Sequence, residues 1–171
     1  MSNSIIAILE LGIIGGLGII FLVIALFIKT SSKNKISQCN KLTEGIIVKH
    51  KYPGDSRVIP IVEYTVDGKV YRTEKKYNGF KKVRYPLPMK SDFWEDENGY
   101  LCVKIGLAVN IRKIANNVWP IGSTVKVFYS PSNPKINYVD RPINNGLLIN
   151  IFLISGVALT VLGFVLFLII K

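Results

Sequence analysis

Lys75 to Lys90 is the stretch of this chain whose residue types most clearly suggest chemistry. It holds Lys75, Lys76, Lys81, Lys82, Arg84 and Lys90, no acid, and the rings of Tyr77, Phe80 and Tyr85 between them. Cations near an anionic leaflet gain about 1 kcal/mol each, and aromatic rings settle at headgroup level. The segment is therefore the candidate contact for membrane lipid or for an acidic protein partner. A nucleic acid also accepts cations with interleaved rings, but no nucleic-acid recognition motif accompanies the run, which makes it the least favoured partner. The plain alternative is a solvated hairpin face.

Other reactive side chains are sparse. His50 is the only histidine, so a histidine triad or a multi-histidine metal site lacks members, and a surface position at a strand end is expected for it. No H-E-x-x-H, P-loop, G-x-S-x-G or metal-spaced cysteine set occurs. Asp92, Glu95, Asp96 and Glu97 are the only dense acids. They lack the spacing of a calcium loop and run into Asn98-Gly99, so a solvated turn is expected rather than a cation site. The chemistry available argues against an enzyme, with no catalytic residue, metal or cofactor expected.

The elements that must position these residues follow from composition. The chain has 171 residues, 49% of them hydrophobic, yet carries 22 Lys+Arg against 11 Asp+Glu, a formal charge of +11. Apolar and basic residues in such amounts must be segregated, which excludes an ordinary soluble monomer, a disordered polycation and a disulfide-stapled mini-protein. Ile5 to Ile28 is interrupted only by Glu10, and Leu147 to Ile170 has no charge at all. At ~1.5 Å per residue each block reaches ~36 Å, enough to cross a ~30 Å hydrocarbon core. Two transmembrane helices, at 5–28 and 147–170, are expected. Met1 to Ser4 carry no basic side chain and no A-x-A pattern follows Ile28, so the first block is expected to stay in the membrane rather than be cleaved.

Gly12, Gly15 and Gly16 share one arc of the first helix, and Gly12-x-x-x-Gly16 has small-x-x-x-small spacing. Ser155, Gly156, Thr160 and Gly163 are the counterparts on the second. These faces are candidates for seating the helices together or building a homodimer. Glu10 lies almost opposite the glycines on a regular helix, ~9 Å from its start at ~1.5 Å per residue, and is expected to snorkel to the headgroups.

Residues 29–146 hold every charge except Glu10 and Lys171. Lys29, Lys33, Lys35 and Lys41 follow the first helix, and Lys135 and Arg141 precede the second, so the positive-inside rule places the middle in the cytoplasm with both termini outside. Cys39 and Cys102 show no paired spacing, and no N-x-S/T sequon occurs, which fits a reducing compartment.

The middle reads as a basic juxtamembrane linker at 29–41 and an all-β domain at 42–140. Strands are expected at Leu42–Lys49, Val58–Val66 and Lys69–Glu74, the last two joined by the hairpin turn Asp67-Gly68. That register sets Tyr64 against Tyr71, Val62 against Thr73 and Glu63 against Arg72. A second hairpin joins Phe93–Glu95 to Tyr100–Ile105 through Asp96–Gly99. Leu107–Ile114, Thr124–Tyr129 and Ile136–Val139 complete five to seven strands in a sandwich or open barrel. No helix is expected between the two apolar blocks.

Pro60-Ile-Val-Glu-Tyr-Thr-Val-Asp-Gly-Lys-Val-Tyr71 resembles the first hallmark of a widespread bacterial membrane-anchored β-domain family of unknown function. Its second hallmark is similar to Ile121-Gly-Ser-Thr-Val-Lys-Val-Phe-Tyr-Ser-Pro-Ser-Asn-Pro134, and Thr43-Glu-Gly-Ile-Ile47 resembles its opening strand. The likeness covers 42–77 and 118–139, whereas 78–117 is an atypical insertion where the family has a shorter link. It implies a β-domain beside or between transmembrane helices, in a bacterial plasma membrane, and brings no catalytic residue. The function expected is a non-enzymatic integral membrane protein presenting a basic β-domain to a protein or anionic lipid. The alternatives are an oligomeric transport or channel component using Glu10, and an immunity or stress protein against a membrane-targeted toxin.

Overall fold

The computed structural model describes residues 3–54, 58–83, 92–104 and 111–170. It consists of two compact units, one formed by the chain's ends (1–34 with 144–171) and one by its middle (35–143).

In the first unit the leading helix runs as α1 (Asn3–Glu10), a π turn (Leu11–Gly15) and α2 (Gly16–Gln38). The trailing helix, α4, is Gly146–Ile170. Both are long and apolar enough to cross a membrane, and only 17% and 11% of their most apolar windows is buried. A core helix of a soluble protein hides that surface, so these side chains suit a lipid surrounding. The expected linker at 29–41 is instead helical through Gln38. Lys35 sits in the last turn of that helix, where a cation complements the backbone dipole.

The two helices run antiparallel, with Phe21 edge-on to Phe152 at 5.4 Å and Asn145 Nδ2 donating to Ser32 Oγ at 2.8 Å. Their seam is made by missing side chains. A Cβ on Gly18 would lie 2.7 Å from Gly156 O, one on Gly156 2.9 Å from Gly18 O, and one on Gly163 2.8 Å from Gly15 N. Backbones that approach so closely gain van der Waals contact, which replaces the hydrophobic effect as the attraction between helices in lipid. Gly15 and Gly156 thus lie where the two backbones approach. Gly12 and Gly16 do not, since a Cβ on either would meet nothing within 4 Å.

The second unit is the β-domain. Strands β1 (Lys41–Lys51), β2 (Ile59–Val66), β3 (Lys69–Glu74), β7 (Thr124–Ser130) and β8 (Asn133–Val139) form an antiparallel sheet in the order β3-β2-β1-β7-β8. Strands β4 (Phe80–Val83), β5 (Asp92–Glu95) and β6 (Leu101–Lys104) form a second sheet, with β6 central, parallel to β4 and antiparallel to β5. Two apolar helices flanking a small β-domain is the expected layout, with eight strands among the described residues. The β2–β3 hairpin has the expected register: Tyr64 opposite Tyr71, Val62 opposite Thr73, Glu63 opposite Arg72.

The first sheet curls, and its sequence says why. The first half of β1 pairs with β7 and the second half with β2. At the changeover stands Gly45, where a Cβ would meet Val62 Cγ1 at 2.6 Å and Val127 Cγ2 at 2.8 Å. A glycine in a strand interior permits this bend and close approach. The outer strands β3 and β8 are joined by side chains rather than by a ladder. Thr73 Oγ1 donates to Asn137 Oδ1 (2.6 Å), Asn137 Nδ2 to the Tyr64 hydroxyl (2.9 Å), and that hydroxyl to Pro134 O (2.6 Å). Burial, with a smaller contribution from neighbouring Tyr71, pushes the Tyr64 phenol up to about 12.

Instead of the expected strand at 107–114 there is a helix, α3 (Ile111–Val118); 107–110 lie outside the described residues. Apolar residues at 111, 114, 115 and 118 follow the helical repeat, and the exposed Arg112, Lys113, Asn116 and Asn117 lie between them. One core serves both sheets and α3: Ile47, Val62, Val66, Leu101, Val103, Ala115, Trp119, Val127 and Val139 pack together with Tyr64. At 25 cal/mol per Å², burying each large aliphatic side chain is worth about 1.5–3 kcal/mol.

Candidate functional site

Lys75 is the residue around which the two sheets meet. Strand β3 ends at Glu74, and the backbone N–H of Lys75 continues the ladder by donating to Pro60 O at 2.9 Å. Its side chain is only 3% exposed. The ammonium donates to Asp140, just beyond β8, and lies 3.2 Å from Glu95 Oε2 at the end of β5. Glu95 Oε2 also accepts the Trp119 indole N–H at 3.0 Å. A buried cation held by two carboxylates from distant chain segments is favourable only while all partners are present.

The acids around it are fixed by local geometry. Asp140 adopts φ +54, a left-handed conformation that Asp tolerates better than most residues. Its Oδ1 accepts the Lys126 N–H at 3.0 Å while Oδ2 takes Lys75. Asp96 begins the Asp96–Gly99 turn, where Oδ1 accepts the N–H groups of Asn98 (3.0 Å) and Tyr100 (2.8 Å) and Oδ2 accepts Lys81 (2.7 Å). That Lys81 bond, aided by the backbone donors, holds the Asp96 carboxyl below the usual carboxylate range, and Asp96 in turn raises Lys81. Gly99, at φ +75, closes the turn.

Together Lys75, Glu95, Asp96, Lys126, Asp140 and Arg141 line an open cleft of ≈ 400 Å³. Arg141 Nη1 donates to Asp96 O at 3.2 Å. Its described lining residues include no nucleophile–base pair. Among the described residues no group of three or more His, Cys, Asp and Glu could hold a metal ion.

The residues singled out in the sequence are thus dispersed. Lys75 is withdrawn into the interior and cannot serve as the surface contact expected of it, because its charge is spent on Glu95 and Asp140. Lys81 lies over the Tyr100 ring, 4.3 Å from its centroid, and is paired with Asp96. Lys76 is exposed, and Lys82 belongs to β4. Arg84 and Lys90 lie outside the described residues. The acids expected to form a solvated turn are divided: Asp96 organises the turn, whereas Glu95 faces Lys75. His50 is half-buried rather than superficial, and its Nε2, necessarily protonated, donates to Trp119 O at 2.8 Å.

Sequence reasoning misses Asp140 and Lys126, and reads Arg141 only as a flanking charge. One signal was there: Asp140 is the only acid after Glu97, and a lone carboxylate in a basic segment invites a buried cation. In the helix unit, Glu10 Oε2 is buried with no hydrogen-bond partner, which differs from the expected snorkelling carboxylate.

Cys39 and Cys102 are free thiols, both buried. Burial pushes the Cys39 thiol up, partly offset by Lys35. No protein-family model, curated protein or solved structure matches this chain.

Proposed function

We propose that the chain is a non-enzymatic integral membrane protein whose two helices present a basic β-domain to an anionic partner, either a lipid surface or an acidic protein. The observation that carries this reading is the segregation of charge. The helix pair has a lipid-suited surface, while the whole net charge of +11 lies between the two apolar blocks. The resemblance of 42–77 and 118–139 to a bacterial membrane-anchored β-domain family supports the same reading, and the basic flanks favour a cytoplasmic domain in a bacterial plasma membrane. With Lys75 internal, contact falls to exposed cations such as Lys76.

The full chain in nanodiscs carrying dansyl-labelled lipid tests this. Energy transfer from the domain's tryptophans should rise when phosphatidylserine replaces phosphatidylcholine and fall again with salt, because surface attraction is screened beyond ~10 Å at 0.1 M. Transfer independent of both lipid charge and salt would remove the lipid partner; failure of an acidic bait to crosslink at position 76 would remove the protein one.

A second reading, a transport or channel component, is favoured by the buried, unpartnered Glu10 oxygen, since an intramembrane acid is a functional candidate. In proteoliposomes Glu10→Gln should then change ion flux; no flux from the unaltered chain sinks this reading.

A further inference from the structure

The cleft around Lys75 has an imbalance of hydrogen-bonding capacity. Its carboxylates are largely used: Asp140 accepts from Lys75 and from the Lys126 backbone, Asp96 from Lys81 and two backbone N–H groups, and Glu95 Oε2 accepts from Trp119 and is ion-paired with Lys75. Its cations are not. An ammonium has three donors and a guanidinium five. Lys75 donates one hydrogen bond, to Asp140, and is ion-paired with Glu95, and Arg141 spends one donor, on Asp96 O. The Lys126 ammonium makes no hydrogen bond or ion pair among the described residues. With Lys81 counted against Asp96, four cations face three carboxylates. A metal cation would find few free oxygens here, whereas an anion would find spare N–H groups brought together from β3, β7 and the segment after β8.

We propose that this cleft binds a phosphate-bearing anion, seated on Lys126 and Arg141, with the buried Lys75 ammonium in the wall behind it. A phosphate has several strong acceptor oxygens to meet donors arriving from different strands, and the planar Arg141 fork matches two of them. The same chemistry is offered by a soluble phosphomonoester and by a phospholipid headgroup. The proposal rests on the reading that the domain meets anionic partners, and it sharpens that reading to a discrete site.

The full chain in nanodiscs, in a Trp94→Phe background so that Trp119 beside Glu95 is the reporter, provides the test at constant ionic strength. One arm titrates inorganic phosphate onto protein in phosphatidylcholine discs; the other compares phosphatidylcholine discs with discs containing phosphatidic acid. A saturable fluorescence change is expected in at least one arm, and the arm that responds identifies the source as solute or headgroup. The Lys126→Ala/Arg141→Ala variant should weaken the response at least about tenfold, the loss expected for hydrogen bonds to charged groups, while Asn116→Ala, at an exposed position of α3, should match the unaltered chain. Should the double variant not fold, Lys126→Gln and Arg141→Gln singly serve the same purpose. No saturable change in either arm, or an equal change in the variants, overturns the site. Salt-sensitive energy transfer to anionic lipid that persists in those variants would leave the broader function standing without it.

Discussion

Lys75 looks in sequence like one of six neighbouring cations, yet it is the one whose charge the fold consumes. Nothing local separates it from Lys76; what does is the arrival of Glu95 and Asp140 from 20 and 65 residues further along. Replacing it with Ala would strand two carboxylates and should destabilise the domain by about 3–5 kcal/mol, read from urea unfolding. Ala at the exposed Lys76 should cost about 0.5 kcal/mol or less. The Asp96–Lys81 pair makes a prediction in pH. Because Asp96 titrates below the ordinary 3.8 when folded, its contribution is in place above that value and disappears as pH falls through the folded one. Asp96→Asn should therefore destabilise the domain at pH 7, with the difference closing in acid below 3.8. The Lys81 side has the opposite sense. Its value is raised above 10.5, so its contribution is present below 10.5 and lost as pH rises through the folded value.

At the scale of elements, the β2–β3 hairpin was legible to the individual pair because Asp67-Gly68 permits positive φ at both turn residues, +49 and +74, and so sets the register. The α3 helix was not. Its eight residues are too few to fold on propensity alone, and the buried Ala115 and Trp119 show that packing stabilises it. The glycine pattern was half legible. Small residues could be counted, but which of them approach the other helix is settled by packing: Gly15 and Gly18 lie at the seam, whereas a Cβ on Gly12 or Gly16 would meet nothing within 4 Å. Gly18→Leu should abolish crosslinking between cysteines placed at Phe21 and Phe152 by a short thiol-reactive reagent. Gly12→Leu should leave crosslinking intact.

For the whole molecule, the expected orientation depends on Lys29, Lys33, Lys35 and Lys41, all within the reach over which flanking charge acts. Reporter fusions should place the C-terminus outside. Neutralising these four lysines, with four basic residues added before Ile5, should invert or mix that orientation; reporter signals that do not change would refute a charge-set topology.

The sequence by itself determined the two apolar helices, the β-domain between them, the segregation of charge and the turns whose residues need special backbone angles. These are local or compositional properties, because hydrophobic length and turn chemistry act within a few residues. Only the tertiary structure decided which lysine is buried, which glycines touch, that Gly45 bends the sheet, and that Asp140 and Glu95 share one cation. Each of these is a meeting of segments far apart in the chain, and a residue's type states what it can bond to but not what the fold will bring within reach.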